Sequence, residues 1–371
     1  MRVTQRMMVE NMKYWLAKRS ESLYRAETVN GSGKKVNSPS DDPVSAQQIL
    51  RDRTTLSAYG QYQSNVSQAL NWIEAVNDVY ETAYDLLEQA QEIATNQSAG
   101  DLETRNELIS TMTGIQDQVL DLANTRYGGS YLFSGDQTPT RPFASETTVV
   151  GGTAEDIVFE LAETASLVEI QIFDQSRTLV RTMTVSGGVA GTNTVTWDGL
   201  DDGGLVVEDG VYQYTVSASD SSGGPVASCP TYRGGAASKV IIIGENSSIS
   251  INNDGGDIFG PALMAISQAL SSLEADPFDA ADLAEKADIL SEALSAFLMD
   301  MTDLATAGAR LTRAEERMAQ LYDAAETRIA DLETAEANAA AIEVQTLETA
   351  YEVTLETLSQ ILSRPNLLSL L

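Results

Sequence analysis

The chain has 371 residues, with 23 lysine or arginine residues against 54 aspartate or glutamate residues, and its formal net charge is −31. Because nucleic-acid binding requires clustered basic side chains, this balance argues against a nucleic-acid partner. The chain has no histidine and one cysteine, Cys229, which excludes histidine-based catalytic triads and an intramolecular disulfide framework.

The charge is distributed unevenly. Residues 1–53 carry ten basic and six acidic side chains, a net of +4, whereas the remainder carries thirteen basic and forty-eight acidic ones, a net of −35. This distribution favours contact between the basic N-terminal segment of one subunit and the acidic remainder of the next subunit. Acidic helix faces that are simply exposed to solvent explain the same pattern. No segment predicts a membrane span, and the first residues lack the apolar core of a cleaved signal peptide.

The leader, residues 1–28, has apolar side chains at helical spacing, interrupted by Arg19. A short helix of this kind is marginal without packing. A run of turn formers follows over 30–43, in which Ser40, Asp41 and Asp42 can cap a helix that begins at Pro43. The predicted assembly positions in the leader are Val9, Met12, Leu16 and Leu23.

A long helix is predicted over 44–97, because apolar residues recur there at 4-3 spacing. Such a stripe keeps one face of a helix against a partner helix. The large side chains of this stripe are Val66, Ile73, Tyr80 and Leu87. A shorter helix follows, with its apolar face between Leu108 and Leu122, and ends before Gly128.

Residues 144–251 lose helical spacing and gain β-branched alternation and glycine pairs. The segments 168–173 and 211–216 alternate as strands do, and 194–197 leads into an Asp-Gly turn. Six to eight short strands of this kind predict a small β-sandwich, with return strands at 239–244 and 248–251.

Helix is predicted to resume at Pro261 and, after a break near Pro277, to continue almost to Pro365. A second 4-3 stripe runs over 283–332, and we expect it to pair with the first. Its large side chains include Leu290, Leu294, Phe297, Met301 and Leu304. The last helix and the chain end add apolar positions that need a partner, namely Leu355, Leu358, Leu362, Leu367, Leu368, Leu370 and Leu371.

Little in the sequence indicates catalysis or a cofactor. The segment Gly31–Lys35 lacks the spacing of a Walker phosphate loop, and no strand precedes it. The acidic run Asp198–Gly204 contains ligands that suit calcium, but a tight turn between strands explains the same residues. Cys229 precedes a proline in a β segment, which favours a buried, inert thiol. We expect no enzyme activity, no cofactor and no metal.

Several motifs resemble one family. The segment Gly33–Ala46, which contains Pro39, Ser40, Asp41, Asp42 and Pro43, is similar to the opening segment of the bacterial flagellin superfamily, and most closely to its hook–filament junction family, hook-associated protein 3. The segment Leu122–Gly135 and the ending Arg364–Leu371 fit the same family. Val168–Asp174, Thr196–Gly199 and Asp209–Tyr214 resemble the immunoglobulin-like module of flagellar hook-capping proteins.

The resemblance implies an α+β fold, in which a long antiparallel coiled-coil rod of N- and C-terminal segments carries an inserted all-β, immunoglobulin-like sandwich. Residues 1–44 and 331–371 would form an inner coiled coil, 45–143 and 252–330 the rod, and 144–251 the insert. It also implies export unfolded by the flagellar type III route without a cleaved signal peptide. The expected partners are other copies, another hook-associated protein, flagellin and an export chaperone, with neither membrane nor nucleic acid.

Two other hypotheses remain open at this point. A filament flagellin would share the helical ends, and it differs from a junction protein in its abundance. An adhesin-like or sugar-binding surface protein would act through the β insert. A secreted enzyme is a weaker third hypothesis, because no pocket motif supports it.

Overall fold

The computed structural model describes residues 5–95, 101–150, 152–154, 156–251 and 254–363. The chain separates into two units, one formed by Met1–Gln63 with Glu316–Leu371 and one formed by Ser64–Glu315. The division into terminal segments, rod and insert stays a prediction. The helices within the described residues are α1 (Gln5–Ser32), α2 (Pro43–Ala94), α3 (Leu102–Ala123), α4 (Gly255–Glu274), α5 (Ala280–Glu333) and α6 (Ala337–Ser363).

The larger unit contains a helical core to which α2, α3, α4 and α5 contribute. Side chains of α2 meet partners of α5 in reverse chain order, as antiparallel helices require. Ser67 donates to Glu315 at 3.2 Å, and the rings of Tyr80 and Phe297 lie 5.0 Å apart. Most of the large apolar stripe positions at this interface are buried in one core.

The β region consists of short antiparallel strands. They are β1 (Arg126–Tyr127), β2 (Ser130–Tyr131), β3 (Glu146–Val150), β4 (Thr153–Ala154), β5 (Asp156–Leu161), β6 (Ala165–Phe173), β7 (Leu179–Gly188), β8 (Gly191–Thr196), β9 (Gly210–Ser219), β10 (Pro225–Val226), β11 (Ser228–Pro230), β12 (Val240–Gly244) and β13 (Ser247–Ser250). One sheet has the order β4-β3-β9-β6-β7, with β10 beside β9, and a second has the order β11-β5-β8. Together with the long helices, this arrangement confirms the α+β prediction.

The two sheets enclose an apolar core of their own. Ile157, Phe159 and Leu161 alternate inward from β5, and Ile170 and Ile172 do so from β6. This is the period-two pattern expected of a sandwich. Trp197, which is 1 % exposed, closes one end of the core, and its indole N–H donates to the carbonyl of Leu200 at 2.9 Å.

The hairpin of β12 and β13 packs differently from the rest of the predicted insert. Ile243, Ile249 and Ile251 are buried with the helical core and not with the sandwich core. Cys229 also lies in the helical core. The segment 144–251 therefore supplies side chains to two separate cores.

Two helix boundaries differ from the prediction. The prediction of one helix that continues from the break near Pro277 almost to Pro365 was wrong, because α5 ends at Glu333 and α6 begins at Ala337. Backbone hydrogen bonds with Gly33 and Lys35 interrupt the helix between them. Helix α4 begins at Gly255 and not at Pro261, because the Asp254 carboxylate caps it by accepting from Gly256 N–H at 2.8 Å.

Candidate assembly surfaces

The segment between α1 and α2 is built from the motif predicted at Pro39–Pro43. Asp41 accepts backbone N–H groups from Asn37 at 3.1 Å and from Ser38 at 2.7 Å, which closes a tight turn. Asp42 accepts from Val44 N–H at 3.0 Å and from the Ser45 hydroxyl at 2.6 Å, so it caps α2.

Hydrogen bonding lowers the pKa of both motif carboxyls. The bond from the Ser38 backbone is the main cause at Asp41, and the bond from the Ser45 hydroxyl is the main cause at Asp42. Pro43 occupies the first helical position, where a missing N–H has no cost. Ser40 shares a 2.6 Å hydroxyl contact with Ser38, and Pro39 is exposed. The motif therefore fixes where α2 begins.

The break between α5 and α6 lies against the segment that follows α1. Lys35 N–H donates to the Glu333 carbonyl at 2.6 Å, and Ala335 N–H donates to the Gly33 carbonyl at 2.9 Å. These two bonds form an isolated antiparallel bridge between Lys34 and Thr334. Backbone groups that would continue an α-helix through 334–336 are thus engaged by another segment. This explains a helix break that contains neither glycine nor proline.

Charged side chains reinforce the same junction. The Glu333 carboxylate forms ion pairs with Lys34, at 3.0 Å, and with Arg53, while its side chain is only 12 % exposed. Asp52 pairs with Arg328 at 3.0 Å. Burial raises the pKa of Glu333, but hydrogen bonds and charge from Lys34 and Arg53 outweigh it and bring that pKa below its usual range.

We predict that Glu333→Gln lowers the free energy of unfolding of the unit that contains both chain ends by about 0.5–1 kcal/mol near neutral pH. The lowered pKa of Glu333 means that its contribution is complete above the ordinary carboxyl pKa and is lost as the pH falls through the folded-state value. Urea unfolding at pH 7 and at acid pH measures the difference. Glu343→Gln, on the exposed middle of α6, is the control. A Glu333→Gln effect that is equal at both pH values would contradict the electrostatic explanation.

Of the five predicted assembly positions whose side chains the structure describes, four are partly buried within the chain. Helix α1 packs against α6. Met12, Leu16 and Leu23 are partly buried, and Ala26 is buried. On α6, Leu358 is partly buried and Leu355 is exposed. The side chains of Val9 and Leu362 and the residues Leu367, Leu368, Leu370 and Leu371 lie outside what the structure describes.

The exposed apolar surface of α1 lies off that stripe. Tyr14 is 61 % exposed and Trp15 is 51 % exposed, with their rings 5.7 Å apart in an edge-to-face arrangement. Met7 and Tyr24 are also exposed. We call the adjacent pair Tyr14 and Trp15, whose rings are in contact, the aromatic face. The 4-3 spacing of α1 does not include them, although two adjacent aromatic residues outside the stripe of a marginal helix are a sign that the sequence contains.

The large apolar side chains of the stripe in the larger unit pack inside the chain. Val66, Ile73, Tyr80, Leu87, Leu290, Leu294, Phe297 and Leu304 are buried, and Met301 is partly buried. These nine positions lie in, or pack against, one continuous core. They are therefore occupied within the chain, whereas the aromatic face is not covered by the described residues.

The thiol of Cys229 is buried at 5 % exposure, and burial raises its pKa to about 12. We predict that a thiol reagent at pH 8 modifies the folded chain at least about a hundredfold more slowly than the chain in urea, because only the thiolate reacts. Absorbance of the released chromophore gives both rates, and Cys229→Ser gives the background. Rapid modification of the folded chain would contradict the buried position.

The acidic run Asp198–Gly204 uses its carboxylates on the backbone. Asp198 accepts from Leu200 N–H at 3.1 Å, and Asp201 accepts from Leu205 N–H at 2.8 Å. These bonds support the turn interpretation. Among the described residues, no group of three acidic or cysteine side chains is placed to hold a metal ion, and no helix is long and apolar enough to cross a membrane.

Two family models match different parts of the chain. Residues 3–138 match the family model of the bacterial flagellin N-terminal helical region, and residues 145–222 match that of the FlgD Ig-like domain. Over residues 3–138 the chain is thus similar to the N-terminal helical region of bacterial flagellins. Both resemblances predicted from the sequence are confirmed.

Two curated relatives carry the name flagellar hook-associated protein 3. The protein of Escherichia coli K12 is 32 % identical over 168 residues, which are 44 % of this chain and 53 % of the relative. The protein of Salmonella typhimurium LT2 is 31 % identical over 152 residues, which are 40 % of this chain and 47 % of the relative. The chain thus spans about half the length of the curated relatives it matches.

A solved structure described as a flagellar hook-associated protein from Vibrio parahaemolyticus superposes with a TM-score of 0.50. The superposition covers 79 % of this chain and 100 % of the other, at 15 % sequence identity. At this identity, the likeness shows a common fold.

Proposed function

We propose that this chain is a structural subunit of the bacterial flagellum that joins the hook to the filament. The observation that carries the proposal is the aromatic face of α1, an uncovered apolar surface on a helix from the region that matches flagellins. Two large aromatic side chains that are exposed side by side favour a binding partner. The two relatives named hook-associated protein 3 support the junction in preference to the filament.

Assembly would proceed through the terminal helices. After export by the type III route, α1 and α6 pair within the subunit and present Tyr14 and Trp15 to neighbouring copies. Burying one large apolar side chain contributes about 1.5–3 kcal/mol, so a repeated contact of this kind stabilises a layer of many subunits. Residues 1–44 and 331–371 would lie innermost, 45–143 with 252–330 around them, and the sandwich outermost.

The partners follow from this placement. Each copy would contact other copies, another hook-associated protein on one side and flagellin on the other, and an export chaperone before secretion. The location is extracellular, at the hook–filament junction. The role is mechanical and not enzymatic.

Antibody labelling of isolated hooks and intact flagella tests the proposal. A junction protein should give a thin band at the end of the hook, and cells that lack it should shed their filaments. Label along the whole filament would identify a flagellin instead. Normal filaments attached to hooks in the deletion strain would rule out the junction role.

Removing the sandwich separates the roles of insert and ends. We predict that deletion of residues 146–226, bridged by a short glycine-serine linker, leaves incorporation into flagella, because Cys229 and the β12–β13 hairpin stay with the helical core. Deletion of the last ten residues should abolish incorporation. Immunoblotting of purified flagella measures both, and the opposite pattern would favour an adhesin acting through the insert.

A further inference from the structure

A tight turn between β6 and β7 holds Arg177 in a conformation that favours glycine. The Asp174 carboxylate accepts backbone N–H groups from Ser176 and Thr178, both at 2.8 Å, and Arg177 N–H donates to the Asp174 carbonyl at 3.0 Å. The φ angle of Arg177 is 59°, the one positive value at a non-glycine residue in the described part of the chain. Residues held in this region cluster at ligand sites, where the side chain is needed despite the strain.

The strained arginine lines a cleft of about 560 Å³. Phe173 and Gln213, which are cross-strand partners in the β6–β9 pair, also line it. Its other charged lining residues are Arg141, Glu146 and Asp117. Its volume lies within the range of about 300–1,000 Å³ that is usual for small-ligand sites. The cleft belongs wholly to the larger unit.

The two arginines of the cleft differ in whether they form an ion pair with a carboxylate. Arg141 forms an ion pair with Glu146, whose backbone carbonyl also accepts from the Arg233 guanidinium at 2.8 Å. No acidic side chain among the described residues forms an ion pair with Arg177, and its side chain is exposed. Arg177 is therefore the cleft arginine whose charge is not paired with a carboxylate in the described structure, and its backbone, though not its guanidinium, is held by the turn.

We propose that this cleft binds the carboxylate of a compact acidic ligand, with the Arg177 guanidinium as its anchor. Guanidinium and carboxylate groups match in a paired, charge-assisted hydrogen-bond geometry. Phe173 offers an apolar surface to the body of the ligand, and Gln213 offers an amide. Asp117 accepts from hydroxyl or amide groups and repels a second negative charge. The carboxylate can belong to an acidic sugar or to a glutamate or aspartate side chain.

Titration of the full chain with three small probes tests the site. Glucuronate and N-acetylglutamate represent the two sources of the carboxylate, and glucose is the uncharged counterpart. We expect one or both acids to bind with a Kd on the order of 1 mM by NMR or calorimetry, and glucose to bind at least about tenfold more weakly. Preference for glucuronate assigns the site to acidic sugars, and equal binding of N-acetylglutamate assigns it to protein carboxylates.

Three variants connect the binding to Arg177. Arg177→Gly should weaken binding about tenfold while Tm stays unchanged or rises by a few degrees, because glycine relieves the strained φ. Arg177→Lys should retain part of the affinity, since lysine keeps the positive charge but lacks the paired N–H donors of the guanidinium. Arg310→Gln, which removes one exposed charge on α5, should bind as the unmodified chain does.

Opposite results on either measurement overturn the proposal. These are the absence of binding by both acids up to about 10 mM, tenfold above the expected Kd, and unchanged affinity in Arg177→Gly. A fall in affinity that is as large in Arg310→Gln as in Arg177→Gly also overturns it, because the effect would then come from net charge alone.

Discussion

Phe297→Ala should lower the free energy of unfolding of the larger unit by about 3–5 kcal/mol, the usual cost of removing a buried aromatic side chain. Phe297 is 1 % exposed, and its ring lies 5.0 Å from that of Tyr80 and 5.4 Å from that of Phe259. Phe133 completes the group at 4.8 Å from Phe259. These four rings join α2, α4, α5 and the loop after β2. Removing one of them leaves a cavity where several elements meet.

Met299→Ala is the matched control for that change. Met299 lies two residues further along α5 and is 70 % exposed, so its loss should change stability by no more than about 0.5 kcal/mol. Urea unfolding followed by circular dichroism at 222 nm measures both variants. Equal effects of the two substitutions would show that the aromatic group does not stabilise the core.

The helical core could be read from the sequence because its signal is local and repeated. Tyr80 and Phe297 occupy stripe positions on two long helices, and a seven-residue repeat constrains every turn of both. The sandwich was readable for a similar reason, since residues 168–172 of β6 and most of β9 alternate. Turn residues such as Asp42 with Pro43 marked the start of α2 to within one residue.

The break at 334–336 could not be predicted, because its cause lies more than 290 residues away in the chain. Local propensity favours continuous helix there, and only the hydrogen bonds with Gly33 and Lys35 override it. The core in which the β12–β13 hairpin packs is also a tertiary outcome. The β-branched run 240–243 and the segment 248–251 indicate strands, but they do not say which core the inner faces of those strands join.

The assembly positions show a third kind of limit. Met12, Leu16 and Leu23 satisfy the helical stripe and are partly buried within the chain, so spacing identified an internal face. A surface that binds another molecule does not pack against a helix of the same chain, so its residues need not follow a seven-residue repeat. Tyr14 and Trp15 were therefore visible in the sequence only as an excess of large aromatic side chains.

Replacing Tyr14 and Trp15 together by serine should abolish or strongly reduce incorporation into flagella while leaving the subunit folded. Both side chains are more than half exposed in the single chain, so their loss removes little internal packing. Each would bury its remaining surface against a neighbouring copy. The loss of roughly half of the usual 1.5–3 kcal/mol for each side chain weakens each contact about tenfold to a hundredfold.

Motility in soft agar and immunoblots of sheared flagella measure the effect, and circular dichroism of the purified variant tests the fold. Val189→Ser is the control, because it removes an apolar side chain that is 61 % exposed but lies in the sandwich region. The control should assemble normally. Normal incorporation of the double variant would mean that the aromatic face does not bind the next subunit. Loss of helical signal in that variant would mean that the two rings stabilise α1 itself. Because every layer contact repeats around the structure, a moderate weakening at one face is multiplied over many subunits, and for this reason we expect a nearly complete loss from a change that leaves the monomer intact.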